Sequence, residues 1–150
     1  MSRSHPRQRS YIDVETSAAR FNITPLQGAL SLLRAILEAT SDGILVVDLQ
    51  GMILCFNRRF LEMWRIPDHV LSLREDASSL VFVLDQLQDP DGFETKVNEL
   101  YAQPLADSVD VLKFKDGRIF ERYSRPQCIG DTPVARIWIF RDVTDRPPAS

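Results

Sequence analysis

Three strand-like runs near the C-terminus constrain the fold of this sequence more than any other feature. They read SVDVLKF, RIFERYSRPQCI and PVARIWIFRDV, and short turns containing Asp116-Gly117 and Gly130-Asp131 separate them. Asp-Gly and Gly-Asp pairs favour tight hairpin turns because these residues tolerate the backbone angles that such turns require. The pattern therefore predicts three strands that pair antiparallel in sequence order.

Two further strands and several helices precede these runs. GILVVDL and MILCF read as a hairpin around the turn LQGM, and Asn57 is placed to cap a short helix, RRFLEMWRI. SSLVFVLDQL reads as a buried helix, although its β-branched residues also suit a strand, and FETKVNELYAQ reads as a helix. Strands on both sides of a helical block predict an α+β fold: a five-stranded antiparallel sheet with short helices on one face.

A flanking helix is predicted at the N-terminal side, from Thr24 to about Ala39. Thr24 and Gln27 have the spacing of a capping box, with a proline at the first helical position. One stripe of this helix is apolar and suits a partner helix or a sheet surface: Leu26, Leu30, Leu33 and Leu37. We expect this stripe to be a dimer contact, although packing within one chain would explain it equally well. The expected organisation is a polar tail (1–23), the flanking helix (24–40), the main domain (41–146) and a C-terminal tail (147–150).

Composition limits the function classes. A chain of 150 residues with 44% hydrophobic content suits one core of ordinary size. The 18 basic and 21 acidic side chains are scattered, which argues against nucleic-acid binding. Cys55 and Cys128 read as core thiols in a reducing compartment. With neither a signal peptide nor a membrane span in the sequence, we expect a cytoplasmic protein.

The sequence offers little for catalysis or metal binding. The two histidines, His5 and His69, and the two cysteines do not form a metal-binding pattern. Neither a nucleotide-cradling glycine-rich loop nor a Ser-His-Asp set in a plausible context is present. We therefore predict no catalytic residue and no metal ligand.

Three segments in the right order resemble a PAS domain, across about residues 32 to 146. They are ILEATSDGILVVDLQGMILCFNRRFLEMWRIP, FKDGRIFERYSRP and the terminal Asp142-Val143-Thr144. The resemblance implies a sensor or association module of the type usually found before a histidine kinase or a diguanylate cyclase. Pro147-Pro148 departs from the helical exit of most relatives, since proline cannot continue a regular helix. The chain is expected to be part of a larger protein or to act through a partner.

The resemblance also suggests site residues. By analogy with flavin-binding relatives, the strand face carrying Phe120, Arg122 and Ser124 would point into a cavity under the helices. Leu112 would share that face, and the remaining cavity wall would be Trp138, Phe140, Phe93, Val97 and Leu100. Arg122 would either capture an anionic ligand or form an internal ion pair with Asp110 or Glu62. Asp142 and Thr144 would fix the direction in which the chain leaves the last strand and would relay the signal. The alternative for these two residues is a plain polar strand end, and the alternative for the aromatic wall is an ordinary core.

The family pattern disfavours two cofactors. A haem-binding member would be expected to offer a histidine before the third strand, and FETKVNELYAQP has none. A photoreactive flavin member needs a cysteine within Gly-x-Asn-Cys-Arg-Phe-Leu-Gln, which this chain lacks. We therefore expect a non-catalytic, homodimeric sensor that binds a partner or a small molecule, for which an anion is one option. Its setting would be a two-component kinase, cyclase or transcriptional system. The alternatives are a constitutive homodimerisation module without a ligand and a chromophore-bearing receptor.

Overall fold

A computed structural model describes residues 24–67 and 83–146 of the chain. The chain divides after residue 39 into two units, the first holding helix α1 (Pro25–Ala39) and the second all described elements from Thr40 onward. The predicted tails, residues 1–23 and 147–150, lie outside the described residues, as do His5 and His69.

Helix α1 begins with the predicted capping box. The Gln27 backbone N–H donates to the Thr24 hydroxyl at 3.1 Å, and the Thr24 N–H donates to the Gln27 side-chain oxygen at 3.0 Å. These two bonds satisfy donors that a helix start otherwise leaves open. No residue of α1 is buried, and the exposed fractions of Leu26, Leu30 and Leu33 are 69%, 57% and 51%.

The second unit contains the predicted five-stranded antiparallel sheet. Its strands are β1 (Gly43–Asp48), β2 (Ile53–Phe56), β3 (Ser108–Lys113), β4 (Ile119–Ile129) and β5 (Thr132–Asp142). The strand order is β2-β1-β5-β4-β3, with all neighbours antiparallel. The three C-terminal strands pair in sequence order, as the hairpin turns predicted, and β5 is the central strand because β1 pairs with its other edge.

Among the residues that the structure describes, helices α2 (Arg58–Trp64) and α3 (Pro90–Ala102) accompany the sheet. Asn57 joins α2 to β1 and is completely buried. Its side-chain oxygen accepts from the backbone N–H groups of Phe60 (3.0 Å) and Ile44 (2.9 Å), so the predicted helix cap also fastens the strand. A Cβ on Gly43 would lie 3.0 Å from the Phe60 Cα and 2.9 Å from the Met63 Sδ. Glycine is therefore required where β1 passes under α2.

The core lies on the inner face of the sheet and includes residues of both helices. Its buried members are Val47, Phe60, Leu61, Met63, Trp64, Ile66, Leu87, Leu100, Leu112, Phe114, Phe120, Trp138 and Phe140. Trp64 is the centre of the aromatic packing. Its ring centroid lies 5.0 Å from that of Phe114, 5.2 Å from Phe140 and 5.7 Å from Phe120.

Two element boundaries differ from the prediction. Helix α3 begins at Pro90 rather than Phe93, because the Asp89 carboxylate accepts from the Gly92 N–H at 3.0 Å and caps the helix start. In SSLVFVLDQL, residues 78–82 lie outside the described part and 83–86 are helical. Leu87 leaves the helix and forms a β-bridge with Phe114.

The expectation that both cysteines are core thiols is wrong. Cys128 is exposed, because it follows a register shift at the far end of the β4–β5 hairpin, where the last three residues of β4 are all exposed. Cys55 is half-buried and pairs with Val46 on edge strand β2. Burial still raises the pKa of the Cys55 thiol. Among the described helices, none is long and apolar enough to cross a membrane.

Candidate functional site

The inner face of the sheet and the helices line a cavity of about 380 Å³. The sheet contributes Leu45, Val47, Ile53, Trp138 and Phe140, the β1–β2 turn contributes Gln50 and Gly51, and the remaining described lining residues are Phe60, Trp64, Ile66, Val83, Phe93, Val97, Asn98 and Tyr101. Four of the predicted wall residues therefore lie together: Phe93, Val97, Trp138 and Phe140. The volume falls in the lower part of the range of small-molecule pockets.

This inner cavity has a buried aromatic floor and an exposed polar mouth. Phe60, Trp64, Trp138 and Phe140 are each at most 4% exposed, whereas the side chains of Gln50 and Asn98 are exposed. Such a gradient, with rings inside and amides outside, gives a bound molecule both apolar contact and hydrogen-bond partners.

Arg122 lies beside this cavity, on the inner face of β4, and is 1% exposed. Its Nη2 pairs with the Asp110 carboxylate at 3.2 Å. The guanidinium carbon lies 4.7 Å from the ring centroid of Phe93 and 5.2 Å from that of Trp138. Its Nε and Nη1 are shut off from solvent and have no hydrogen-bond partner among the described residues. Burial lowers the pKa of the Arg122 guanidinium, and the Asp110 carboxylate opposes that shift.

The ion pair expected as one alternative for Arg122 is therefore formed with Asp110. Glu62, the other candidate partner, is exposed on α2, where its carboxylate lies 3.8 Å from the Arg59 guanidinium. Asp110 is shared by several groups, since it also accepts from the Ser108 hydroxyl at 2.7 Å and lies 4.0 Å from the Lys96 amine.

Arg122 borders a second, polar cleft of about 540 Å³ between α3 and β3. Leu112, Lys96, Glu99 and Asp110 line it as well, and Phe93 separates it from the inner cavity because that ring lines both. The other three residues predicted for ligand binding line neither cavity. Phe120 is buried against Trp64 and Phe114, and Leu100 is buried in the core. The Ser124 hydroxyl donates to the Ile137 carbonyl and accepts from the Arg136 guanidinium.

Sequence reasoning missed Arg136, which fixes the end of α3. This side chain is 2% exposed and donates to the carbonyl oxygens of Ala106 (2.8 Å), Pro104 (3.3 Å) and Gln103 (3.4 Å). It also donates to the Ser124 hydroxyl at 2.8 Å. Its spacing of two from Trp138 could have revealed that it points inward, because alternate residues of a strand share a face.

The two predicted relay residues form a hydrogen-bonded turn where β5 ends. The Asp142 carboxylate accepts from the Thr144 N–H at 2.9 Å and from its hydroxyl at 2.5 Å. The Thr144 hydroxyl in turn accepts from the Ile119 N–H at 3.0 Å, at the start of β4. The turn therefore ties the end of β5 to the neighbouring strand.

Within residues 24–67 and 83–146, no group of three or more His, Cys, Asp or Glu side chains is arranged to hold a metal ion. The polar groups on the side chains that line the inner cavity are two amides, a phenol and two indoles, while the charged side chains lie in the polar cleft. The two cavities therefore offer different chemistry to a ligand.

The sheet order and the helices on its inner face form a fold that solved PAS domains share. Residues 31–101 match the profile of a family described as PAS domain. The PAS domain of Bordetella pertussis BvgS has 17% identity and a TM-score of 0.56, covering 79% of this chain and 88% of that one. The PAS domain of a protein from Colwellia psychrerythraea has 19% identity and a TM-score of 0.52, covering 79% and 99%.

The sensor region of a sensor histidine kinase is also similar, with 15% identity and a TM-score of 0.51 over 69% of this chain and 39% of that one. At these identities the likeness is one of fold. No protein with a curated description matches the sequence. The profile match over residues 31–101 and the likeness in fold to these solved PAS domains agree with the resemblance predicted from the sequence.

Proposed function

We propose that this chain is a non-catalytic PAS sensor module that binds a small molecule in the inner cavity and relays its occupancy through β5. The course of β5, the central strand, carries the proposal. Trp138 and Phe140 on this strand line the cavity, and two residues later Asp142 begins the turn that it forms with Thr144. A ligand that shifts the two rings acts on the strand that ends at this turn.

Arg122 offers a second route for the signal. Its guanidinium stacks on Phe93 and Trp138, which both line the cavity, and holds Asp110 on β3. Displacing either ring would weaken a cation–π contact that is worth about 0.5–2 kcal/mol. A ligand can shift this arrangement only by as much as it prefers one state over the other.

An anionic ligand would reach Arg122 only by exchanging partners. Nε and Nη1 are closed to solvent and Nη2 is held by Asp110, so an anion in the polar cleft beside Leu112 must displace that carboxylate. Phe120, Ser124 and Leu100, which line neither cavity, would then contribute only as buried residues behind the anion site. Loss of a bound anion in a folded Arg122→Ala protein would favour this direct role. Retention of the anion in that protein would instead favour a role for Arg122 in relaying the signal.

The output of the sensor is inferred from relatives. One structure of similar fold is the sensor region of a sensor histidine kinase, and PAS modules of this type usually precede a kinase or a cyclase. We infer that the domain controls such an effector, or a transcriptional regulator, within the same protein or in a partner.

Mass spectrometry of the purified 150-residue chain under native and denaturing conditions tests the sensor. A small molecule that is present in the native spectrum and lost on denaturation supports it. Val97→Phe, which fills the cavity, should abolish retention, whereas Val109→Phe, at a side chain that is 67% exposed, should preserve it. Retention that survives Val97→Phe would rule out the inner cavity as the binding site.

A constitutive homodimerisation module is the second candidate function. Three leucines of the α1 stripe are more than half exposed, and an exposed apolar stripe at helical spacing suits a partner helix. A dimer that forms without any retained molecule, and whose affinity no ligand changes, would favour this candidate over the sensor.

A further inference from the structure

The walls of the inner cavity are rich in aromatic rings. Six of the described lining residues carry aromatic rings: Phe60, Trp64, Phe93, Tyr101, Trp138 and Phe140. Their neighbouring ring centroids lie 5.2–6.3 Å apart, at angles between tilted and edge-on. Rings held in this way present both faces and edges, which are the two contacts that a further aromatic ring prefers.

The amide side chains of the cavity are uncharged and lie at its exposed mouth. Gln50 and Asn98 are exposed at the mouth, and each side-chain amide offers both donors and an acceptor. Every described lining residue is neutral. The nearby Arg122 charge is covered by the Phe93 and Trp138 rings and is already paired with Asp110. A charged ligand would thus lose part of its hydration without gaining a partner of opposite charge.

We propose that the inner cavity binds an uncharged aromatic ring compound that carries an amide-like group. The ring lies on the aromatic floor, and the polar group points to the mouth, where Gln50 and Asn98 can exchange hydrogen bonds with it. This inference rests on the proposed sensor function and specifies the ligand class for the same site.

Three probes of similar size separate ring character from charge: benzamide, benzoate and cyclohexanecarboxamide. Both tryptophans of the chain, Trp64 and Trp138, line the cavity, so their two indole N–H signals in a proton–nitrogen NMR spectrum report on its occupancy. Benzamide should shift both signals saturably and bind at least about tenfold more tightly than either other probe, because only it combines an aromatic ring with a neutral polar group.

Substitutions locate the binding. Val97→Phe should abolish the benzamide shifts, and Asn98→Ala should weaken binding several-fold by removing amide partners at the mouth. Val109→Phe, at an exposed side chain of β3, should leave binding unchanged. A dispersed amide spectrum for each variant shows that it is folded, so loss of the shifts then reflects the cavity itself.

The outcomes test the proposed ligand class separately from the proposed sensor function. If benzoate or cyclohexanecarboxamide binds as well as benzamide, and Val97→Phe abolishes that binding, the class is wrong while cavity binding stands. If none of the three probes moves either indole signal, the class is also wrong, and the mass-spectrometric search for a retained molecule decides the sensor separately.

Discussion

The Asp110–Arg122 ion pair compensates a charge that is buried on β4. Arg122 is almost fully enclosed, whereas the Asp110 side chain is 24% exposed. Asp110→Ala would leave the guanidinium buried without its carboxylate, and we expect the free energy of unfolding to fall by about 2 kcal/mol. The exposure of Asp110 should keep this below the cost of breaking a fully buried pair. Urea denaturation measures the change.

The double substitution Asp110→Ala with Arg122→Met serves as the internal control. It removes the stranded charge together with its partner, so it should be less destabilising than Asp110→Ala alone. Asp131→Ala, at an exposed turn position, should change stability by less than about 0.5 kcal/mol. A double variant that is at least as unstable as the single one would show that packing, rather than the charge pair, dominates at this position.

Thr144→Val tests the turn at the end of β5. Valine keeps the side-chain shape but removes the hydroxyl that accepts from the Ile119 N–H and donates to Asp142. We expect a loss of about 1 kcal/mol of stability and faster amide hydrogen exchange at Ile119. Thr132→Val, at the exposed start of β5, is the matched control and should change neither quantity. Equal exchange at Ile119 in both variants would contradict a structural role for the Thr144 hydroxyl.

At the residue scale, the sequence could predict which side chains point inward but not which of them reach a cavity. Strand alternation correctly grouped Phe120, Arg122 and Ser124 on one face of β4. Whether an inward residue touches open space depends on the helix above it, and α3 brings Phe93 over Arg122. That placement is a tertiary contact, which no periodicity within a single strand contains.

At the scale of elements, Arg136 couples the end of α3 to β5. It donates to three carbonyl groups beyond the helix C-terminus and to Ser124. Arg136→Met should lower the free energy of unfolding by about 2 kcal/mol, since the charged donors are lost while most of the side-chain volume remains. Relative to the unsubstituted protein, amide hydrogen exchange should accelerate more in the last turn of α3 than in its first turn, and NMR hydrogen exchange measures this difference.

Arg125→Met is the matched control for that experiment, because Arg125 is exposed on β4. It should change neither the stability nor the exchange rates of α3 appreciably. If Arg136→Met accelerated exchange uniformly across the domain, Arg136 would support the whole fold rather than the end of one helix.

The elements themselves were largely predictable because their signals are local. Turn residues fixed the hairpins, and the Asn57 and Thr24 caps fixed two helix starts. The errors arose where a local pattern had two meanings. Asp89 and Pro90 suit a turn and also a capped helix, and the helix forms. Cys128 lies in an apolar run, but that run extends to the exposed end of its hairpin.

For the whole molecule, the α1 leucines predict association between two chains. Leu30 and Leu33 are 57% and 51% exposed on the predicted dimer stripe. Burying such side chains against a second copy is favourable by about 1.5–3 kcal/mol for each one fully covered. Placing a carboxylate there with Leu30→Glu would oppose association, so the dimer dissociation constant should rise at least about 100-fold, as light scattering after size-exclusion chromatography would show.

Ser31→Glu provides the comparison, because residue 31 is exposed on the same helix but lies outside the leucine stripe. It adds the same charge and should leave the dimer intact. Dimers that persist in Leu30→Glu would exclude the stripe as the contact, and a chain that is monomeric even without substitution would remove the homodimerisation candidate. If the unsubstituted chain forms a dimer and a cavity ligand changes its dissociation constant, linkage requires dimerisation to change ligand affinity by the same factor. Measuring both constants would therefore show whether association is part of sensing or independent of it.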